Sequence, residues 1–189
     1  ISVIIAICIA IVCTIYYIQS QQFVFTIDGQ VQNSYAEDLF IFEDGKVYIS
    51  IQDLAKVPSM GYNHYNGEYN QYEENKDACY VQDSYGFESC TYVKDSNTIY
   101  KNMQYKTTEY EYFEIDEPVK QINNKLYTTI DGAKLGFNSE IVYSEEKNRI
   151  DIYSVYYLAK SIYGEETVSK LSESNYEDFN NFKAILHGM

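Results

Sequence analysis

Two histidines, four cysteines, 22 tyrosines and 28 carboxylates are the side chains in this 189-residue sequence with the most chemistry to offer. Their spacing narrows the options. His64 stands in YNHYNGEY and His187 beside the last residues. Neither has a Cys or Ser partner in a nucleophile motif, so both read as solvated side chains. The acids run in clusters: Glu73, Glu74 and Asp77; Glu109, Glu111, Glu114, Asp116 and Glu117; Glu145 and Glu146. Paired carboxylates hydrolyse sugars only when a cleft holds them at a set separation, and runs of this kind read as a solvated face. No stretch matches an EF-hand calcium loop or a glycine-rich phosphate loop. The expectation is a protein that is not an enzyme, with no catalytic residue, no metal and no cofactor.

Cysteine and tyrosine carry the remaining candidates. Cys79 and Cys90 bracket CYVQDSYGFESC, which reads as a hairpin turning near Ser84 to Gly86. The hairpin brings the thiols near each other, either as a disulfide, which an oxidising compartment permits, or as two free thiols. Zinc fits less well, because no second CxxC or histidine pair accompanies them. Tyr62, Tyr65, Tyr69 and Tyr72 are candidate binding residues for a glycan or a peptide. The competing reading is that they pack a sheet in a chain with no tryptophan.

Charge and composition bound the partners and the size of the core. A net charge of −14 argues against nucleic acid, whose phosphates need clustered Lys and Arg. Apolar residues at 46% and charged residues at 22% are globular proportions, enough for one sizeable core.

The chain opens with ISVIIAICIAIVCTIYYI, residues 1–18, which carries no charge. At about 1.5 Å per residue a helix over this run is about 27 Å long, close to the hydrocarbon thickness of a bilayer. Cys8 and Cys13 act there as small apolar residues, and Tyr16 and Tyr17 fall where amphipathic rings favour the headgroups. A single-pass anchor, a cleaved signal peptide and a buried core helix compete. No small-x-small cleavage pattern precedes Gln19, which favours the anchor. The expected partner of residues 1–18 is therefore the lipid bilayer.

From Phe23 the pattern alternates. FVFTIDGQVQ and DLFIFEDGKVYIS place Asp28-Gly29 and Asp44-Gly45 between apolar alternations, the strongest short hairpin signal. SIQDLAKVPSM then predicts a short helix capped by Ser50, with Asp53 three residues on, and ended by Pro58. Residues 61–112 are rich in Tyr and Asn and predict strands with polar turns. The hairpin-helix pattern returns in VKQINNKLYTTIDGAKLGFN. It turns at Asn123-Asn124, takes Thr128 and Asp131 as its cap spacing, and has Gly136 as the terminating glycine. FNSEIVYSEEKNRIDIY predicts a further hairpin turning at Glu145 to Asn148. Val155, Leu158, Ala159 and Ile162 fall at helical spacing.

KVYISI, AK and GYN of the first unit match KLYTTI, AK and GFN of the second, which predicts two copies of one β-β-α-β unit around a shared core. The second copy is the more informative. Leu126, Tyr127, Ile130, Ala133, Leu135, Gly136, Ile141, Tyr143, Ile150 and Ile152 make it resemble the stalk domain, also called the copper amine oxidase-like N-terminal domain, of exported proteins from Gram-positive bacteria. Val47 to Tyr62 match more loosely. The family's proline and arginine before the helix are missing here, and the tyrosine-rich middle is longer.

The resemblance covers about residues 23–153. It implies a non-catalytic accessory module between a membrane segment and something else, despite the name not a copper site. The expected class is α+β: a transmembrane anchor at 1–22, a mostly antiparallel stalk-like domain at 23–153, and a helical tail or linker at 154–189 leading to a further module. The expected location is the cell membrane with the body extracytoplasmic, at the cell surface. There it would space or present a downstream domain or, alternatively, bind a cell-wall polymer or another surface protein.

Overall fold

Turn chemistry sets the hairpins. In the computed structural model, which describes residues 23–32, 39–71, 74–83, 88–103 and 111–166, three of the hairpin turns each hold two consecutive residues at positive φ. Asp28 and Gly29 lie at 52° and 78°, Asp44 and Gly45 at 51° and 74°, and Asn123 and Asn124 at 51° and 63°. This is the backbone that matches the right-handed twist of the flanking strands, and Asp, Asn and Gly tolerate it best. The turns join β1 (Val24–Ile27) to β2 (Gln30–Val31), β3 (Phe40–Glu43) to β4 (Lys46–Ser50), and β10 (Lys120–Ile122) to β11 (Lys125–Thr129).

Helix α1 (Ile51–Ala55) follows β4 directly, with the Ser50 side chain accepting from the Asp53 amide. Helix α2 (Ile130–Phe137) follows β11 in the same way. Here the structure corrects two expectations. The cap is Thr129, which accepts from the Gly132 amide, while the Thr128 hydroxyl is buried and makes no hydrogen bond. The helix ends at Asn138 in the left-handed conformation, φ 45°, not at Gly136. Gly136 lies within the helix, where its lack of a side chain makes room for Tyr92: a Cβ there would stand 1.7 Å from the Tyr92 hydroxyl.

The matched hairpins pair with each other. The central sheet runs β10-β11-β4-β3, all antiparallel. Its middle register sets Tyr48 opposite Thr129, Ile49 opposite Thr128 and Ser50 opposite Tyr127. When Lys46 is aligned with Lys125, Ile49 and Thr128 are equivalent positions, and the other two pairs exchange. The two copies are therefore related by a local two-fold through the Ile49–Thr128 pair.

The likeness ends after the helices. β5 (Tyr62–Gln71) leaves α1 through a 3-10 turn at Pro58–Met60 and starts a five-stranded meander with β6 (Glu74–Asp83), β7 (Glu88–Val93), β8 (Thr98–Met103) and β9 (Glu111–Glu114). β12 (Glu140–Ser144) instead pairs with β13 (Arg149–Tyr153) in a separate sheet of order β12-β13-β1-β2. In that sheet β1 and β13 run parallel, Phe25 beside Ile150 and Ile27 beside Ile152. Helix α3 (Val155–Tyr163) is capped by Ser154, whose amide and hydroxyl both donate to Asp28 of the first turn.

The inward faces of all three sheets feed one core. Phe25, Ile27, Ile49, Leu54, Val81, Tyr92, Ile99, Leu126, Phe137, Ile150 and Ile152 are all buried in one cluster. The fold is α+β, built mostly from antiparallel sheets with few helices. The apolar run at residues 1–22 lies outside the described residues. Among those described, no helix is long and apolar enough to cross a membrane.

Candidate functional site

Strand alternation carries charge into the interior of the meander. Along β7, Glu88, Cys90 and Tyr92 share the core face, and along β8 so do Ile99 and Lys101, which stands opposite Cys90. Across from them, α2 ends at Asn138, whose left-handed backbone is one that Asn adopts more readily than most residues. The three side chains meet. Lys101 Nζ lies 2.5 Å from Glu88 Oε1 and donates to Asn138 Oδ1 at 2.6 Å. It also donates to the Leu135 carbonyl at 3.2 Å. Asn138 Nδ2 donates to Glu88 Oε2 at 2.7 Å and to the Tyr62 hydroxyl at 3.2 Å. The Glu88 amide in turn donates to Asp83 at 2.7 Å.

This cluster is secluded from water. The Lys101 and Glu88 side chains are 9% and 5% exposed, and Asn138 is buried. Tyr62 closes one side, its ring edge-on to Phe137 at 5.1 Å, and burial pushes its phenol well above the ordinary value. Desolvating both members of an ion pair is costly, and hydrogen bonds to the remaining polar atoms are what make it tolerable. None of Lys101, Glu88 and Asn138 was singled out from the sequence. A signal was there: both charges sit at the inward positions of alternating strands, where apolar residues belong.

The predicted binding tyrosines do not form one surface. Tyr62 faces the core, Tyr65 faces the other side of β5 and is 57% exposed, and Tyr69 is opposite Lys76 in the register. Tyr72 lies outside the described residues. A different row exists on the outer face of the meander. Tyr65, Tyr80, Thr91, Tyr100 and Tyr112 are successive register partners across its strands. Gly67 leaves room for the Tyr80 ring, and Tyr100 meets Tyr112 edge-on at 5.5 Å. Tyr112 is 66% exposed at one end of the row, while Tyr100 is buried.

Cys79 and Cys90 lie on adjacent strands of the predicted hairpin, but Cys79 is opposite Tyr92 and Cys90 opposite Val81. They are diagonal neighbours and not a facing pair, an offset larger than the Cβ separation a disulfide needs. Both are buried free thiols. Burial pushes the Cys79 thiol up to about 12 and raises Cys90 as well, so neither is a ready nucleophile. His64 is half-buried beside Lys56, and burial and that charge lower its pKa. His187 is outside the described residues, among which no three His, Cys, Asp or Glu gather to hold a metal. Of the predicted acids, Glu117 pairs with Lys46 and Asp77 accepts from the Gln121 side chain.

No protein-family model, curated protein or solved structure matches this chain. The likeness to stalk domains thus rests on the residues quoted from the sequence.

Proposed function

We propose that the chain is a non-catalytic, membrane-anchored stalk module that spaces or presents a neighbouring domain outside the cell. The observation that carries this reading is the parallel pairing of β1 with β13. The body of the chain comes into this sheet at Val24, beside Arg149, and leaves it at Tyr153, past Ile27. Arrival and departure are therefore at opposite ends of one strand pair, as an in-line spacer requires. Tension along the chain loads the hydrogen bonds between β1 and β13 together, in shear, instead of opening them one by one. The uncharged run at residues 1–18 supplies the anchor to the bilayer.

The test is topology in intact cells. Glu146 is exposed in the turn before β13, and the described cysteines are buried. A Glu146→Cys variant of the full chain should react with a membrane-impermeant maleimide on whole cells, above the level of the parent protein. Labelling only after lysis would overturn the reading.

A second reading, binding of cell-wall glycan or peptide, is favoured by the cross-strand tyrosine row. Aromatic faces with hydroxyl rims suit such ligands. Retention of the protein on purified peptidoglycan, lost in a Tyr65→Ser/Tyr112→Ser double variant, supports it. No retention above background ends it.

A further inference from the structure

We propose that Lys101 and Asn138 become joined by an intramolecular isopeptide bond, formed once, with Glu88 as the proton-transferring catalytic residue. The inference goes beyond the spacer reading and stands on the buried cluster alone.

Each part of the chemistry is in place. The nucleophile is the Lys101 amine, 2.6 Å from Asn138 Oδ1. A carbonyl bond is only about 1.2 Å long, so Nζ stands about 3–4 Å from Cγ, which overlaps the roughly 3–3.5 Å of a near-attack arrangement. The leaving group is Asn138 Nδ2, which already donates to Glu88 Oε2 at 2.7 Å. The other oxygen of the same carboxylate is 2.5 Å from Nζ. One carboxylate thus touches both the group that must lose protons and the group that must gain one. The Leu135 carbonyl steadies the amine from a further direction. Moving a proton from the ammonium to Glu88 turns two buried charges into two neutral groups, which seclusion from water favours.

The step balances. The Lys101 ammonium gives one proton to Oε1, and the lone pair of the resulting amine bonds to Asn138 Cγ. Glu88 passes that proton to Nδ2, the Cγ–Nδ2 bond breaks, and ammonia leaves. The surplus proton on Nζ goes to Glu88 and then to the ammonia, which departs as ammonium. Nothing is oxidised or reduced, and the carboxylate is regenerated. Water, the competing nucleophile, is held out by Tyr62, Phe137 and the core face of β7 and β8.

The test is the mass of the purified full chain under denaturing conditions. It should be lighter than its sequence requires by one ammonia, about 17 Da. A tryptic digest should contain a branched peptide joining the Lys101 segment to the Asn138 segment. A chain of full mass with Lys101 and Asn138 in separate peptides would overturn the proposal. Glu88→Gln, which keeps the side chain's shape but turns one of its two acceptors into a donor, should fold, as followed by circular dichroism, and retain the full mass. Loss of ammonia in that variant removes Glu88 from the role. Asn138 precedes Ser139, and closure to a succinimide there gives the same mass change. Lys101→Met separates the two: an unchanged deficit in Lys101→Met overturns the isopeptide, and a restored full mass supports it.

Discussion

Asp53 is the residue on which three donors converge. Burial by itself would raise its carboxyl, but hydrogen bonds from Lys125, Ser50 and Lys56 outweigh that and hold it below the ordinary value. A carboxylate whose folded pKa is depressed stabilises the fold above its unfolded value, about 4, and loses that contribution as pH falls through the folded one. Asp53→Asn should therefore cost about 1–2 kcal/mol at pH 7, a cost that shrinks as pH falls through the depressed folded value. Urea unfolding of both proteins across that interval measures the convergence. Gly136 makes the opposite kind of demand, for empty space. Gly136→Ala drives a methyl into the Tyr92 hydroxyl and ring, 1.7 and 2.6 Å away. The expected loss is about 2–3 kcal/mol in a denaturant titration. Gain instead of loss would mean that α2 and β7 do not pack as described.

At the scale of the element, two adjacent threonines separate capping from burial. Thr129 caps α2 through its hydroxyl, so Thr129→Ala should cost about 1 kcal/mol. The Thr128 hydroxyl is buried with no hydrogen-bond partner. Thr128→Val keeps the shape, removes that group, and should be neutral or stabilising by about 1 kcal/mol. Thermal denaturation of the pair decides it, and equal losses at both positions would refute the assignment of the cap. These neighbours also show where reading the sequence stops. KLYTT with Asp131 places a cap within one residue. Which hydroxyl faces the helix depends on the alternation of β11 against β4, a pairing with residues far away in sequence. The turns are different in kind, because Asp44-Gly45 and Asn123-Asn124 encode their conformation in their own side chains.

For the whole molecule, the parallel β1–β13 pair and the Lys101–Asn138 contact govern how the fold resists force and denaturant. Val24 donates its amide to Asn148 at 2.9 Å, at the edge of the sheared pair. Val24→Pro removes that bond and should lower the unfolding force when the protein is pulled through its termini in a single-molecule tether, with the fold retained. An unchanged force would place the mechanical barrier elsewhere. The proposed isopeptide closes a chain segment spanning 37 residues. By the chain-entropy argument used for disulfides, closing such a loop stabilises by about 4 kcal/mol. Glu88→Gln should accordingly unfold at a clearly lower denaturant concentration than the parent.

The amino-acid sequence alone determined the local geometry. The Asp-Gly and Asn-Asn turns, the Ser50 cap, the duplicated hairpin and helix, and the helical spacing from Val155 are consequences of backbone preference and of periods of two and 3.6 residues. These act over a few neighbours and need no distant partner. Tertiary structure decided everything that depends on register between strands far apart in the chain. It set β1 parallel to β13, put Cys79 and Cys90 one diagonal out of reach, turned Tyr62 inward and Tyr65 outward, and brought Lys101, Glu88 and Asn138 together. The physical reason is that a one-residue slip in pairing sends every side chain of a strand to the opposite face. That choice is settled by burying Phe25, Tyr92, Phe137 and Ile150 in one shared core, a sum over the whole molecule that no single segment contains.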